Sequence, residues 1–360
     1  MIVLFTSNIA GGVLQLVVQV LSELRKLNYE VYAFIPDGAN VYIDSTLEKC
    51  VVYYTKVKTI NYRNRRIISV SKKIMDFNPD LVWFFDNAIA TTEVGLNLSG
   101  KVRQMMIMHD AGGSHPSNNT SINVRIHRFI EKNYSNKFES ELDKIMLLSE
   151  KSAKKYCSLY PDRKDKTVLM NLGAHAPNVE PEELQELIGI NYLLFFGRID
   201  KYKGIERMLK AYKKYKGCSE LVIAGKGLLT EKELFLINAD SRIHLINRYI
   251  RDGEMIWLFQ NSNGVILPYM EATQSGIIPI AYKYSKPVIV SDVEGLTQFV
   301  ENERTGYICH SDQEFANAFQ RLDASDNREF LGYNAYQYYT EFFNWKKNLS
   351  YMLNELETRG

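Results

Sequence analysis

Short apolar runs alternating with longer amphipathic stretches constrain the fold of this chain more than any other feature. Ile2–Phe5 is apolar. Val13–Leu27 follows with apolar residues at Val13, Leu14, Val17, Val18, Leu21 and Leu24, a helical period, and Tyr29–Ile35 returns as a strand. Strand, helix and strand within about 35 residues make a βαβ unit and predict a parallel sheet.

The rhythm continues through strand candidates at Leu81–Phe85, Met105–His109, Lys144–Leu148 and Thr167–Leu169. After Pro177 and the acidic stretch Glu180-Pro181-Glu182-Glu183 it restarts with Tyr192–Phe196, Glu220–Ala224, Ile243–Ile246, Gly264–Leu267 and Pro287–Ser291. Most are continuous apolar runs, as strands buried on both faces are. Two doubly wound sheets are the simplest arrangement. Residues 1–176 form the first domain and 177–339 the second, with a last helix over about 340–360 returning to the first. Asn327–Glu357 carries no strand signal and reads as helical.

Composition removes several classes of function. The 360 residues hold 44 Lys+Arg against 42 Asp+Glu, a net charge of +2, which excludes a surface that is a trap for nucleic acid throughout. Cys50, Cys157, Cys218 and Cys309 are scattered without a CxxC pair, which argues against a zinc ribbon and a disulfide framework and fits a reducing compartment. No apolar run of about 18 residues predicts a spanning helix. The N-terminus MIVLFTSNIAGGV reads as a first strand rather than a secretion signal, so a cytoplasmic location is expected.

Ligands of such sheets bind at the carboxyl ends of the strands, and the loops there are polar. Gly11 and Gly12 follow the first strand and would let a ligand approach the amides of a helix N-terminus; a tight turn explains them equally well. Met108-His109-Asp110-Ala111-Gly112-Gly113-Ser114-His115-Pro116 follows another strand, where His109 and His115 are candidates to hydrogen-bond a sugar or a phosphate. No further residues at metal-ligand spacing accompany them. In Phe195-Phe196-Gly197-Arg198-Ile199-Asp200-Lys201-Tyr202-Lys203-Gly204-Ile205, Arg198 stands at a strand end and Lys203 at the start of the next helix. Two such cations can clamp a diphosphate; Lys201 and Arg207 read as solvated charge. Gly225 closes another strand, and Arg248, Tyr249 and Ile250 sit one strand later, where backbone amides would read a nucleobase edge and Arg248 would add a third cation. Glu271, Thr273, Gln274, Ser275, Gly276 and Ile277 precede Pro279, a pattern that fits a helix N-terminus and a second seat for an anion. The basic stretch with Lys56, Lys58, Arg63, Arg65, Arg66, Lys72 and Lys73 is a solvated face or, with Val57, Ile60, Tyr62, Ile67 and Ile68 interleaved, a peripheral contact with an anionic membrane surface.

Together these segments resemble glycosyltransferase family 4, retaining enzymes of the GT-B fold. The likeness is densest from Phe195 to Tyr307, where FFGRIDKYKGIERMLKAY, NRYI, LPYMEATQSGIIPIAY and KPVIVSDVEGL stand in family order. The last two of these segments look like the branch that carries an ATQSG-type phosphate loop. The resemblance implies an α/β chain of two Rossmann-like domains facing across a cleft, with a nucleotide sugar, UDP- or GDP-linked, on the C-terminal domain. It places a glycan or lipid-linked acceptor on the N-terminal domain and Trp345 near the crossing of the last helix. Arg198, Lys203 and the amides around Ser275, Gly276 and Ile277 would hold the diphosphate, Gly12 would approach the phosphate or acceptor, and His109 would lie beside the transferred sugar. Gly197, Gly225, Arg248, Tyr249, Ile250 and Glu271 complete the donor side; Gly11, Asp110 and His115 belong to the acceptor side. One departure stands out. The family's paired glutamates, eight positions apart, fall on Ala272 and Ile280 or, shifted by one, on Glu271 and Pro279, so the ribose-gripping carboxylate is absent and Glu271 or Glu294 would have to replace it.

The expected reaction is transfer of a hexose-type sugar to an acceptor hydroxyl in polysaccharide or glycoconjugate biosynthesis. Preorganised cations and amides would stabilise the departing diphosphate without a metal or other cofactor. Two other readings compete: a sugar-nucleotide epimerase of the same plan, which needs carboxylates to move protons, and a non-catalytic nucleotide-sugar-binding protein, suggested by the missing carboxylate. A dinucleotide oxidoreductase is disfavoured because no GxGxxG follows the first strand.

Overall fold

The apolar runs become the strands of two parallel sheets. The computed structural model describes residues 1–41, 43–56, 65–108, 122–175, 177, 179–272 and 275–357, with the side chains of 122–131, 151 and 355–357 set aside. Contacts divide the chain into one unit of Met1–Leu172 with Trp345–Gly360 and another of Gly173–Asn344. The sequence reading set the divisions at 176 and 339. Residues up to 344 group with the second unit because Tyr338, Tyr339, Phe342 and Phe343 pack on its core and Ala174 donates its amide to the Phe343 carbonyl at 3.2 Å.

In the first unit the strands are β1 (Ile2–Phe5), β2 (Val31–Pro36), β3 (Val51–Tyr54), β4 (Leu81–Phe84), β5 (Arg103–Met108), β6 (Lys144–Leu147) and β7 (Thr167–Leu169). They lie in the order β3-β2-β1-β4-β5-β6-β7, all parallel. Strand residues alternate between faces, so Ile2, Leu4, Leu81, Trp83, Met105 and Ile107 join one core layer while Val3, Phe5, Val82, Phe84, Met106 and Met108 join the other. Helix α1 (Gly12–Lys26) covers the first layer. Helices α2 (Arg65–Met75), α3 (Ile89–Leu98) and α4 (Ile122–Glu141) cover the second, and α5 (Glu150–Leu159) follows β6. The last helix, Trp345–Glu357, buries Trp345, Leu349, Met352 and Leu353 in the layer under α1.

The second unit has β8 (Tyr192–Phe196), β9 (Glu220–Ala224), β10 (Ile243–Ile246), β11 (Ser262–Leu267), β12 (Val288–Ser291) and β13 (Gly306–Cys309), in the order β10-β9-β8-β11-β12-β13 and again parallel. Its helices are α6 (Ile205–Lys214), α7 (Glu231–Asn238), α8 (Asp252–Asn261), α9 (Ile277–Lys283), α10 (Glu294–Thr297), α11 (Asp312–Arg321) and α12 (Ser325–Tyr338). A π-helical turn over Tyr339–Phe343 ends it.

Both sheets start in the middle, wind to one edge, cross back and wind to the other. The strand order therefore reverses between β1 and β4 and between β8 and β11, and the crevice at such a reversal is where α/β sheets bind ligands. Two strands that the apolar pattern did not predict, β3 and β13, are edges of their sheets. An edge strand is paired on one side only; β3 is half-exposed over Val51 and Val52 and exposed at Tyr53, and its short run Val51-Val52-Tyr53-Tyr54 was passed over in the sequence although it is apolar.

Candidate functional site

In the second unit the crevice is formed by the exits of β8 and β11. Beyond β8 the chain keeps its pairing with the chain beyond β9: Gly197 donates its amide to the Ala224 carbonyl and Ile199 to the Lys226 carbonyl, both at 3.0 Å. That pairing draws the loops together. A Cβ on Gly225, whose φ is +149°, would stand 1.9 Å from the Gly197 carbonyl oxygen. A glycine is thus required at 225 by the close approach of the neighbouring backbone. Gly197 itself has a φ of +118°, and among the described residues only the Ile277 Cδ1 would lie within 4 Å of a Cβ there.

Residues 201–203 then form a short 3₁₀ turn that ends on Gly204 in the left-handed region. A Cβ there would meet the Pro268 carbonyl oxygen at 2.0 Å, and Met270 donates its amide to the Tyr202 carbonyl at 2.7 Å. The β8 loop is thereby stitched to the exit of β11, bringing Arg198 and Lys203 to one loop at the strand-order reversal. Arg198 projects into solvent, 70% exposed, with Asp200 Oδ2 3.5 Å from its Nη2. Lys203 is half-buried. Its Nζ lies 3.6 Å from the centre of the Tyr269 ring and 5.1 Å from that of Tyr202, and no carboxylate pairs with it among the described residues. Burial, with the Arg198 guanidinium acting in the same sense, lowers its ammonium from an ordinary 10.5 to about 8.

At the exit of β11, Glu271 is exposed and Ser275 is buried, its Oγ accepting from the Ile277 amide at 3.3 Å. Gly276 precedes α9, and a Cβ there would meet nothing within 4 Å among the described residues. Pro279 is the third residue of α9, where its missing amide costs no helical bond. Thr273 and Gln274 lie outside the described residues.

Beyond β10, Arg248 is engaged within its own loop. It makes a two-point pair with Glu254, Nη1 to Oε2 at 2.7 Å and Nη2 to Oε1 at 2.8 Å, and donates to the Tyr249 carbonyl at 3.1 Å. Arg251 adds its guanidinium at 3.0 Å and its amide at 2.9 Å. The Glu254 side chain is 1% exposed, and the Arg248 fork holds its carboxyl at about 2. The sequence reading missed Glu254 because the pairing depends on how the loop folds over the start of α8. Tyr249 is exposed and Ile250 buried.

In the first unit Gly11, with φ +89°, caps α1 without a side chain, and neither Gly11 nor Gly12 would bring a Cβ within 4 Å of anything. The reversal between β1 and β4 holds a residue the sequence reading passed over. Asp86 accepts from Thr6 Oγ1 at 2.7 Å, the Ser7 amide at 2.8 Å, Ser7 Oγ at 3.0 Å, the Ala88 amide at 3.1 Å and Thr91 Oγ1. His109, Asp110 and His115 lie outside the described residues, as do residues 57–64 of the basic stretch. In the described part, Ile67 is a core residue of the first unit and Ile68 is half-buried, while Arg65, Arg66, Lys72 and Lys73 are exposed. Ile67 is therefore spent on the core, and Arg65, Arg66, Ser69, Lys72 and Lys73 make up the exposed side of α2. No described helix is long and apolar enough to cross a membrane.

Two parallel-sheet Rossmann-like units of this kind are the architecture of GT-B glycosyltransferases. Residues 190–324, which hold the whole β8–β11 crevice, match the family model described as glycosyl transferases group 1. Solved structures match along the full chain. The Anabaena protein Alr3699/HepE in complex with UDP superposes with a TM-score of 0.75 at 16% identity, covering 99% of both chains. A sucrose-phosphate synthase from Thermosynechococcus elongatus superposes at 0.70 with 18% identity, covering 100% of this chain and 99% of that one. The lipopolysaccharide outer core galactosyltransferase WaaB follows at 0.68 with 14% identity and full coverage of both. No curated protein sequence matches the chain.

Proposed function

We propose that this protein is a retaining glycosyltransferase that moves a hexose-type sugar from a nucleotide diphosphate to the hydroxyl of a glycan or lipid-linked acceptor. The observation that carries the reading is the pair of cations at the exit of β8. Arg198 is open to solvent and Lys203 is held without an acid among the described residues, both at the strand-order reversal of the unit that matches the glycosyl transferase model. Support also comes from the match to a structure solved with UDP.

On this reading the diphosphate sits against Arg198 and Lys203, with the amides around Ser275, Gly276 and Ile277 closing on it. The backbone at Tyr249 and Ile250 meets the base. Glu271, exposed at the exit of β11, or Glu294 takes the place of the ribose-gripping carboxylate. As the anomeric C–O bond breaks, its electron pair passes to the diphosphate, and the two cations stabilise that developing charge more than they stabilise the ground state. A donor phosphate oxygen accepts the acceptor proton on the face the diphosphate leaves, so configuration is retained without a protein nucleophile. His109, Asp110 and His115, with Gly11 and Gly12, serve the sugar and acceptor. The place of action is the cytoplasm, with α2 offering basic charge to the inner face of the membrane.

A thermal-shift series with UDP-, GDP-, ADP- and TDP-sugars identifies the donor, because a bound ligand raises apparent stability by mass action. Transfer assays with Arg198→Ala and Lys203→Ala then test the clamp. Each substitution should cost about 3–4 kcal/mol in the barrier, a loss of two to three orders of magnitude in rate, with the fold intact. Wild-type rates in both variants would remove the assignment, and an altered free nucleotide sugar formed without acceptor would point to the epimerase instead.

A further inference from the structure

Several cations of the second unit, Arg207, Lys210, Arg242, Arg248 and Arg251, each have a carboxylate within 4 Å. Lys203 has two phenol rings instead. Tyr269 is 1% exposed and presents its face 3.6 Å from the ammonium; Tyr202, in the same 3₁₀ turn, stands at 5.1 Å, and the two rings meet edge-on at 6.3 Å. The charged groups that act on Lys203 are Arg198 and Asp200 of its own loop, and Asp200 is drawn to Arg198. The titratable group turned toward it from the β11 exit is Tyr269, whose phenol burial pushes upward, so it stays neutral.

We propose that Tyr269 is a positioning residue whose ring holds the Lys203 ammonium in place while leaving its charge unmatched until an anionic diphosphate arrives. This rests on the nucleotide-sugar reading of the same crevice and adds a residue to it. An aromatic face attracts a cation through its quadrupole but carries no net charge, so it restrains the side chain without neutralising it. A carboxylate in the same position would have to be displaced by the ligand. The arrangement has a second consequence. With the ammonium near its titration midpoint at about pH 8, an incoming diphosphate favours the protonated form, so binding in mildly alkaline solution takes up a proton from solvent.

The test compares wild type, Tyr269→Phe, which keeps the ring, and Tyr269→Leu, which keeps the apolar bulk. Two readouts are needed. The first is calorimetric titration with UDP from pH 7 to pH 9 in buffers of different ionisation enthalpy. The second is pH-dependent acetylation of Lys203, followed by mass spectrometry on the full chain without nucleotide. Wild type and Tyr269→Phe should bind UDP alike, weaken together as pH rises past about 8 and take up a fraction of a proton. Tyr269→Leu should bind roughly three- to tenfold more weakly at pH 7, the entropy of one long side chain no longer held, and the loss should widen at pH 9. Its Lys203 acetylation midpoint should move below that of wild type, because the ring favours the charged amine.

Equal UDP affinity and equal acetylation midpoints in wild type and Tyr269→Leu would overturn the proposal. So would a Tyr269→Phe variant as impaired as Tyr269→Leu, since the hydroxyl and not the ring would then matter. If UDP and the other nucleoside diphosphates fail to bind wild type while the acetylation midpoints still separate as stated, the aromatic seat stands and the nucleotide reading falls.

Discussion

Glu93 offers a direct measurement of what an apolar site does to an acid. It lies in α3 with its side chain fully buried, and neither carboxylate oxygen has a hydrogen-bond partner among the described residues. Burial alone lifts it from 4.5 to about 7. The sign follows from linkage. Below about pH 4.5 the group is protonated whether the chain is folded or not, and it costs nothing in charge. As pH rises toward 7 the unfolded chain ionises while the folded one resists, and above 7 the folded state carries the full penalty. At about 1.4 kcal/mol per tenfold change, that penalty is roughly 3 kcal/mol. Glu93→Gln keeps the shape and removes the ionisation. Its buried amide is also unpartnered, but that cost does not vary with pH, so the informative quantity is the change in the gap between the two proteins. Urea unfolding in a Trp257→Phe background isolates the first unit, because the remaining tryptophans, Trp83 and Trp345, both sit in its core. Between pH 4.5 and 8.5 the variant should gain about 3 kcal/mol on wild type. A gap that stays constant across that range would show that Glu93 ionises without cost, and the argument from burial would fail.

Two further substitutions probe the second unit. Glu254 behaves in the opposite sense, since its carboxyl is held at about 2 against an ordinary 4.5; its contribution is present above 4.5 and is lost as pH falls through 2. Glu254→Gln should therefore cost up to about 3 kcal/mol at pH 7, with the deficit shrinking when unfolding is measured at pH 3, and an undiminished deficit there would refute the charge pairing. Gly204→Ala forces a Cβ to within 2.0 Å of the Pro268 carbonyl at a φ of +69°. It should cost about 2–5 kcal/mol in thermal unfolding, whereas Gly276→Ala, with nothing within 4 Å among the described residues, should leave stability within about 0.5 kcal/mol and weaken UDP binding alone; a neutral Gly204→Ala would contradict the stitched loop.

What could be read before the structure was known follows burial. Strands packed on both faces, such as Ile2–Phe5 and Tyr192–Phe196, must be apolar at every position, so their ends were legible to the residue. Of the edge strands, β7 and β10 were legible, while β3 and β13 were missed. Site residues split the same way. Arg198 and Lys203 stood out because a cation at a strand exit is conspicuous in sequence, and the fold places both at the strand-order reversal. Gly225 was visible as a glycine, but its neighbour, the Gly197 carbonyl, lies on another strand. Arg248 was visible as a cation, but Glu254 six positions later becomes its partner only after the loop folds back over α8. Tyr269, beyond the strand read as Gly264–Leu267, was not singled out; its relation to Lys203 spans 66 residues and depends on the register of β8 beside β11.

The two sheets wind in the same order yet treat charge at their reversals in opposite ways. In the first unit a carboxylate stands there, and Asp86 is saturated by two hydroxyls of one loop, a hydroxyl of α3 and two backbone amides. Those donors are consumed internally by Asp86, so none of them is left to meet an anion. In the second unit an ammonium stands at the reversal, in the loop after β8, and the fold supplies it with aromatic faces in place of an acid. The difference decides which unit should take the charged substrate. Had an aspartate replaced Tyr269, the loop would hold its lysine more tightly, but a diphosphate would have to compete with a resident counterion at each binding event. The sequence Leu267-Pro268-Tyr269 avoids that competition, and the half-buried, unmatched ammonium is the physical reason to expect the negative ligand on the second unit rather than the first.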